Sequence, residues 1–313
     1  MRIVFMGTPE FAVPSLEALL AVEHEIAAVY TQPDRSTGRG RSLVLNPVKR
    51  LAQSQRVEVV QPASLRESVA LEKLRGLSPD AIVVVAYGQI LPEEALSIPP
   101  YGCINVHPSL LPRHRGPSPI PWTILEGDII TGVTTMLMDA GMDTGPILEQ
   151  REIPVLDEDT TATLQHRLAG IAASLLPETL DKWFHGEVRP NPQDESLATY
   201  SWLVSAGDGE MNWQLPAMEL WRRVRAFNPR IGSYTFWAGR ILKVTRAMPF
   251  PQMVSQSPGR VVSLSRDDCE VGVETGKGVL GLLRVQMEGK KEMRAADFAR
   301  GQRDFLGSVL PLQ

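Results

Sequence analysis

The strongest constraint on this chain is an alternation between short β-branched runs and stretches of helical spacing over residues 1–187. Ile3–Gly7 is a continuous apolar run closing on glycine, and Pro14, Leu16, Leu19 and Leu20 then fall at helical intervals. Ile26–Tyr30 reads as the next strand. Asp80–Ala86 contains Ile82-Val83-Val84-Val85, whose branched side chains suit a strand buried on both faces. Gly102–Val106 and Gly132–Met138 read as further strands, with helical stretches near 64–75 and 119–127. Strands alternating with helices predict an α/β fold, a doubly wound and mostly parallel Rossmann-like sheet. Such sheets bind ligands beyond the carboxyl ends of their strands.

Thr160–Phe184 has Leu164, Leu168, Ile171 and Leu175 on one stripe and reads as a long helix that Pro177 should kink or break. Pro190, Pro192, Gly207 and Gly209 then sit among polar residues, which predicts a linker over 188–207. Beyond it come a helix near 216–227 and five short β runs, at Ser233–Trp237, Ile241–Thr245, Arg260–Ser265, Glu270–Thr275 and Val279–Gln286. Ala238-Gly239-Arg240 fits a hairpin turn. Short strands at this spacing predict a small β-barrel of OB-like type. The expected domains are therefore 1–187 and 208–313, which suits a chain of 313 residues.

Charge separates along the same boundary. Residues 1–207 carry 16 Lys and Arg against 25 Asp and Glu, and residues 208–313 carry 16 against 11. An acidic first part joined to a basic second part fits one module that does chemistry and another that holds a polyanion, although composition alone also allows chance. No apolar run reaches the ~18 residues of a membrane helix, and the N-terminal run lacks the flanks of a signal peptide. Two cysteines, Cys103 and Cys269, provide no disulfide framework. The expectation is a cytoplasmic protein.

Nucleotide cofactors are not expected. The turn after the first strand, Gly7-Thr8-Pro9-Glu10-Phe11, lacks the second and third glycines that let a pyrophosphate approach the backbone, and no P-loop motif is present. The densest polar cluster is Asn105-Val106-His107-Pro108-Ser109-Leu110-Leu111-Pro112-Arg113-His114-Arg115-Gly116, directly after a predicted strand. Asn105 and His107 point to one side of an extended segment. An amide donor beside an imidazole can hold a developing oxyanion and move a proton, the two needs of acyl transfer. The same spacing also fits a turn-capping Asn and a satisfied His. Asp143, between Gly141 and Gly145, is placed to orient the imidazole or relay its proton, with Asp139 as its competitor and an Asx turn as the plain alternative. Met136, Met138 and Met142 suit an apolar wall. Cys103 lies inside a predicted strand, where a buried thiol is inert, and His24, His166 and His185 lack ligand spacing, so no metal is expected.

On these residues the chain resembles the formyltransferases that use 10-formyltetrahydrofolate. The resemblance rests on Phe5-Met6-Gly7-Thr8-Pro9-Glu10-Phe11, on Thr31 to Gly40, on Val85-Ala86-Tyr87-Gly88, on Asn105 to Arg113 and on Gly141-Met142-Asp143-Thr144-Gly145. It continues through Arg225-Ala226-Phe227-Asn228-Pro229 and Gly289-Lys290-Lys291, nearly the whole chain. It implies that Asn105, His107 and Asp143 are catalytic and that Ser109, Leu110, Leu111 and Pro112 hold the tetrahydrofolate. Tyr87, Gly88, Gln89, Ile90 and Leu91 would line the pterin pocket, with Ala140 to Met142 opposite. The glycine-arginine stretch and the basic second half imply the branch that formylates the amino group of methionine on initiator tRNA. Arg35, Arg39, Arg41 and Lys49, in a basic loop after the second strand, and Lys290 and Lys291 would then face tRNA phosphates. Arg222, Arg223 and Arg225 add charge to a predicted helix. The expected partners are 10-formyltetrahydrofolate and initiator methionyl-tRNA, with a monomeric enzyme and no metal. A folate-dependent transferase of a small amine would share the catalytic residues but has no need of the basic loop. A non-catalytic tRNA-binding relative has no need of Asn105, His107 and Asp143.

Overall fold

The computed structural model describes residues 1–37, 42–44 and 46–311. Their contacts divide the chain into two units. The first comprises Met1–Pro119, Ile130–Pro154 and Gln165–Ser201, and the second Ile120–Ile129, Val155–Leu164 and Trp202–Gln313. The stretch expected as a linker thus falls into two parts, with 188–201 in the first unit.

In chain order the elements up to the first crossover are β1 (Arg2–Gly7), α1 (Val13–Leu20), β2 (Glu25–Tyr30), β3 (Arg35–Thr37), β4 (Ser42–Val44), α2 (Pro47–Ser54), β5 (Val59–Val60), α3 (Ser68–Gly76) and β6 (Ala81–Val85). There follow α4 (Glu93–Leu96), β7 (Cys103–His107), α5 (Pro119–Glu126), β8 (Ile130–Leu137), β9 (Ile147–Pro154) and α6 (Thr161–Phe184). The main sheet runs β5-β2-β1-β6-β7-β8-β9. It is parallel from β5 to β7 and antiparallel across β7, β8 and β9. The β-branched and apolar runs of β1 and β6 are buried almost throughout, as a sheet covered on both faces requires. The chain winds outward from β1 through β2 to β5 and returns to β6 at the other side of β1. That reversal opens a crevice at the carboxyl ends of β1 and β6. Thr8 spans it, donating from Oγ1 to the Tyr87 carbonyl at 2.9 Å. Gly7 carries no side chain because a Cβ would lie 2.9 Å from the Ala12 Cβ and 3.0 Å from the Val85 carbonyl.

Two local readings changed. β9 has no counterpart in the sequence prediction because polar and charged residues fill its middle, and even the less exposed face carries Glu149 and Arg151. That face is occupied by α6, where Lys182 pairs with Glu149 at 2.8 Å and Arg151 with Glu178 at 2.7 Å. Pro177 was expected to kink or break α6; the helix is not broken there, and its 24 residues run through the proline. Leu175, Leu176 and Leu180 are fully buried on either side of the proline, so packing outweighs the missing N–H.

The second unit contains α7 (Ala217–Ala226), β10 (Ser233–Trp237), β11 (Arg240–Phe250), β12 (Val261–Ser263), β13 (Val271–Glu274), β14 (Val279–Met287), β15 (Met293–Arg294) and α8 (Ala295–Gly301). Its sheet runs β10-β11-β14-β13-β12 with β15 on β14, antiparallel at every pairing. Register shifts on either side of Arg246 curl β11, and the result is a small half-barrel. Trp213, Leu220, Val224, Leu242, Val273 and Phe305 form its core. Ala238 and Gly239 both take positive φ, 48° and 72°, as a tight hairpin turn needs.

Candidate active site

The site grows from the end of β7. Antiparallel pairing sets Asn105 opposite Met136 and His107 opposite Thr134. Both polar side chains therefore emerge on the same face of the sheet, beside the crevice. The β8–β9 connection brings the third residue. Asp143 takes φ +57°, a left-handed conformation that Asp tolerates better than most residues.

Its carboxylate joins three neighbours. Asn105 Nδ2 donates to Oδ1 at 3.2 Å, the Gly116 amide donates to Oδ2 at 2.8 Å, and His107 Nδ1 lies 3.7 Å from Oδ2. His107 Nε2 lies 3.0 Å from the His114 carbonyl. A carbonyl only accepts, so Nε2 carries a proton and Nδ1, facing the carboxylate, is the nitrogen whose protonation can change. The ring is 4% exposed, shielded from the water that would compete for that proton. Asp139 does the local structural work instead. Its Oδ1 accepts from the Gly141 amide at 3.0 Å and from Thr144 Oγ1 at 2.7 Å, an Asx-type turn that shapes the loop.

The segment after His107 is a braced turn. Ser109 is fully buried; its Oγ donates to the Arg113 carbonyl at 2.6 Å, and its own carbonyl accepts from Thr134 Oγ1 at 2.7 Å. Gln150 donates to the Leu111 carbonyl at 2.9 Å. Leu111 packs with Met136 and Ile147, and Leu110 approaches β8 where Gly132 leaves room. Across the crevice, Tyr87 and Leu91 turn inward into the core, and Gln89 bonds to the Leu65 amide and the Pro62 carbonyl. Ala86, Gly88 and Ile90 are the exposed positions of that loop. Ala86 and Gly88 take φ +49° and +86°, so backbone rather than the Tyr87 side chain lines this wall. Gln32, against Gly88, has a buried Nε2 with no partner among the described residues.

The basic residues are spread out. Arg35 opens β3, which pairs with β4, while Arg39 and Arg41 lie outside the described residues. The ammonium of Lys49 is held by Asp34 and by Gln61 Oε1 at 2.7 Å, so its charge is neutralised at the foot of the hairpin. That contact keeps the Asp34 carboxyl below its ordinary range, with Gln61 assisting. Lys290 and Lys291 are exposed on the turn between β14 and β15. The α7 arginines are engaged within their own unit. Arg225 lies 3.8 Å over the Trp221 ring and donates to the Leu156 and Asp157 carbonyls, Arg223 pairs with Glu219, and Arg222 donates to the Glu126 carbonyl.

Sequence reasoning missed two contributors. The Gly116 amide carries no side-chain signal at all. Gln193 was hidden in the stretch read as a linker, yet its Nε2 donates to the carbonyls of Asp143 and Gly145 at 2.8 and 2.7 Å.

Comparison with known proteins supplies the family. Residues 1–180 match the family described as formyl transferase, and residues 203–303 match formyl transferase, C-terminal domain. Methionyl-tRNA formyltransferase of Syntrophus aciditrophicus is 46% identical over 310 residues, covering 99% of each chain. The enzyme of the same name from Citrifermentans bemidjiense is 44% identical, covering 99% of this chain and 96% of its own. The chain belongs to the methionyl-tRNA formyltransferases. HypX of Aquifex aeolicus, solved in complex with tetrahydrofolic acid, shares the fold at a TM-score of 0.61 and 18% identity, over 98% of this chain and 48% of that protein. Membership in this family accounts for the pairing of a doubly wound sheet with a small antiparallel barrel. Among the described residues no helix is long and apolar enough to cross a membrane, and no group of three or more His, Cys, Asp or Glu is arranged to hold a metal ion.

Proposed function

We propose that this protein transfers the formyl group of 10-formyltetrahydrofolate to the amino group of methionine on initiator methionyl-tRNA, acting as a cytoplasmic monomer. One observation carries the reading at the level of chemistry: a single carboxylate, Asp143, ties together an amide donor, an imidazole and a backbone N–H at the edge of the sheet's ligand crevice. Folate supplies an activated formyl group, so the protein has to orient, stabilise charge and move one proton. The residues present fit such a ligand. The open backbone of 86–90 and the unpartnered Gln32 amide face one side of the crevice, and the braced turn Ser109–Pro112 the other.

Asn105 is the proposed donor to the formyl oxygen as negative charge develops there. Its Nδ2 has a second hydrogen besides the one given to Asp143, and a preorganised donor needs no rearrangement at the moment of reaction. His107 and Asp143 are the proposed proton carriers. The carboxylate faces the one ring nitrogen free to change state, and together they move the proton of the attacking amine toward the departing nitrogen. In the folate site, Ser109, Leu110, Leu111 and Pro112 act by shape, and Gly88 and Ile90 by backbone and apolar contact. Tyr87, Gln89 and Leu91 hold the wall from behind.

For tRNA the proposed contacts are Arg35, Arg39 and Arg41 on the loop after β2, with Lys290 and Lys291 in the basic stretch 208–313. Lys49 contributes by fixing the base of that loop through Asp34 and Gln61. The test is transfer of labelled formyl to methionine-charged initiator tRNA, with elongator tRNA and free amino sugars alongside. Initiator-selective transfer abolished by His107→Ala supports the reading. Transfer to the small amine alone would replace the substrate, and tRNA binding with no transfer would leave only a binding protein.

A further inference from the structure

The connection between the two regions matched to the family, residues 181–202, contains a built device. Arg115 is fully buried, and its guanidinium is used on two sides. Nε and Nη2 donate to Gln193 Oε1 at 3.0 and 2.9 Å, and Nη1 and Nη2 donate to the Glu195 carboxylate at 2.9 and 2.8 Å. A guanidinium has donors only, so it forces the oxygen of the Gln193 amide toward itself. The amide nitrogen must then face the other way, toward the Asp143 and Gly145 carbonyls, where it makes its two bonds. The first of these carbonyls belongs to Asp143 itself, held at φ +57°, and the second lies two residues on; such a conformation persists only when its surroundings over-determine it. The same segment closes on both loops. Asn191 exchanges two backbone bonds with Ile147 at 2.8 Å each, and Thr199 and Ser201 bond to His114, Arg115 and Ser118.

We propose that Gln193, its amide aimed by Arg115 and Glu195, is a positioning residue for Asp143, and that the inter-domain connection is a structural part of the active site. The inference rests on Asp143 acting in the reaction proposed above. Gln193 touches no reacting atom; it fixes the backbone from which the carboxylate reaches Asn105, His107 and the Gly116 amide. A displacement of about 1 Å at such a group lowers a rate by as much as about 100-fold.

The test compares Gln193→Leu, Gln193→Glu, Asp143→Asn and the double variant Gln193→Leu/Asp143→Asn in the full chain. For Gln193→Leu we expect kcat to fall about 10- to 100-fold. KM for the formyl donor and for tRNA should stay within about 3-fold, because neither ligand is contacted. Gln193→Glu keeps the shape but sets a carboxylate against two carbonyls, so it should be no better than the leucine variant. In the double variant the loss should equal that of Asp143→Asn alone, since two residues acting through one contact are not additive. Additive losses, or a loss shared equally between kcat and both KM values, would overturn the proposal. Hydrogen exchange at the Gly116 amide supplies a readout free of activity. It should quicken in Gln193→Leu while amides of β1 and β6 keep their protection. Unchanged exchange at Gly116 would sink the positioning role even if the enzyme were impaired. If the wild-type protein transfers no formyl group, the functional reading fails, and the exchange result still decides whether Gln193 holds the loop.

Discussion

At the scale of single residues the site depends on which atoms are left free. Asn105 Nδ2 is bonded once, to Asp143, and retains a second hydrogen, the one the proposed mechanism gives to the formyl oxygen. Asn105→Ala should therefore lower kcat by about 10²–10³ with little change in KM for the formyl donor; a loss confined to KM would assign Asn105 to ground-state binding. Asn105 and His107 were legible as a pair because two residues at spacing two must share a face of a strand. Spacing alone left Asp139 as a competitor because both sit among glycines; the resemblance pointed to Asp143, and in the folded loop it is that carboxylate which meets Asn105 and His107. Lys49 has a partner that its charge alone does not announce. As one of several basic residues in a loop it reads as a phosphate contact, but its ammonium is held by Asp34 and Gln61. The Asp34 carboxyl is held below its ordinary value, so the stability from this pair is present above the unfolded carboxylate pKa of about 3.9 and is lost as pH falls through the lower folded value. Lys49→Met should thus lower the urea midpoint at pH 7 and show a smaller difference from wild type near pH 3. An equal deficit at both pH values would mean that Lys49 acts only by packing.

Among the elements, strands buried on both faces were easy to read and amphipathic edges were not. β1 and β6 are nearly continuous apolar or β-branched runs, a pattern with few other homes in a folded chain, and β7 departs from it only at Asn105 and His107. β9 alternates with charge and becomes a strand only because β8 and α6 offer it partners. α6 shows the reverse case, in which a local rule is overruled by burial of the leucines around Pro177. The helix already runs through that position, so Pro177→Ala should restore a backbone donor and stabilise the protein by about 1–3 kcal/mol. Calorimetry would check this. A lower Tm would show that the proline ring's own packing or its restriction of the unfolded chain outweighs the missing hydrogen bond. Residues 191–201 have no regular pattern and no long helix or strand, yet they bond to the loops on which Asn105, His107 and Asp143 depend.

For the whole molecule, the charge imbalance between the halves of the chain is the feature with a functional consequence. Residues 208–313 carry the positive excess, but many of their arginines serve their own unit, as Arg222, Arg223 and Arg225 show. Lys290 and Lys291 remain exposed on a turn. Replacing each by alanine should weaken tRNA binding and lower the slope of log affinity against log salt by about 1 per charge, measured by filter binding across a salt series. An unchanged slope would remove both lysines from the interface. Hydrophobic periodicity, glycine placement and net charge by themselves determined the α/β half, the small barrel, the break in composition between them and the strand end that bears Asn105 and His107. Those properties depend on near neighbours in the chain. Only the tertiary structure decided that the Asp143 carboxylate meets Asn105, His107 and the Gly116 amide, that Lys49 pairs with Asp34, and that Gln193 and Arg115 brace the loop. Each of these is a contact between groups far apart in sequence, 38 residues for Asn105 with Asp143 and 78 for Arg115 with Gln193. Such contacts follow from how the sheet and its loops close in space, which no local pattern encodes.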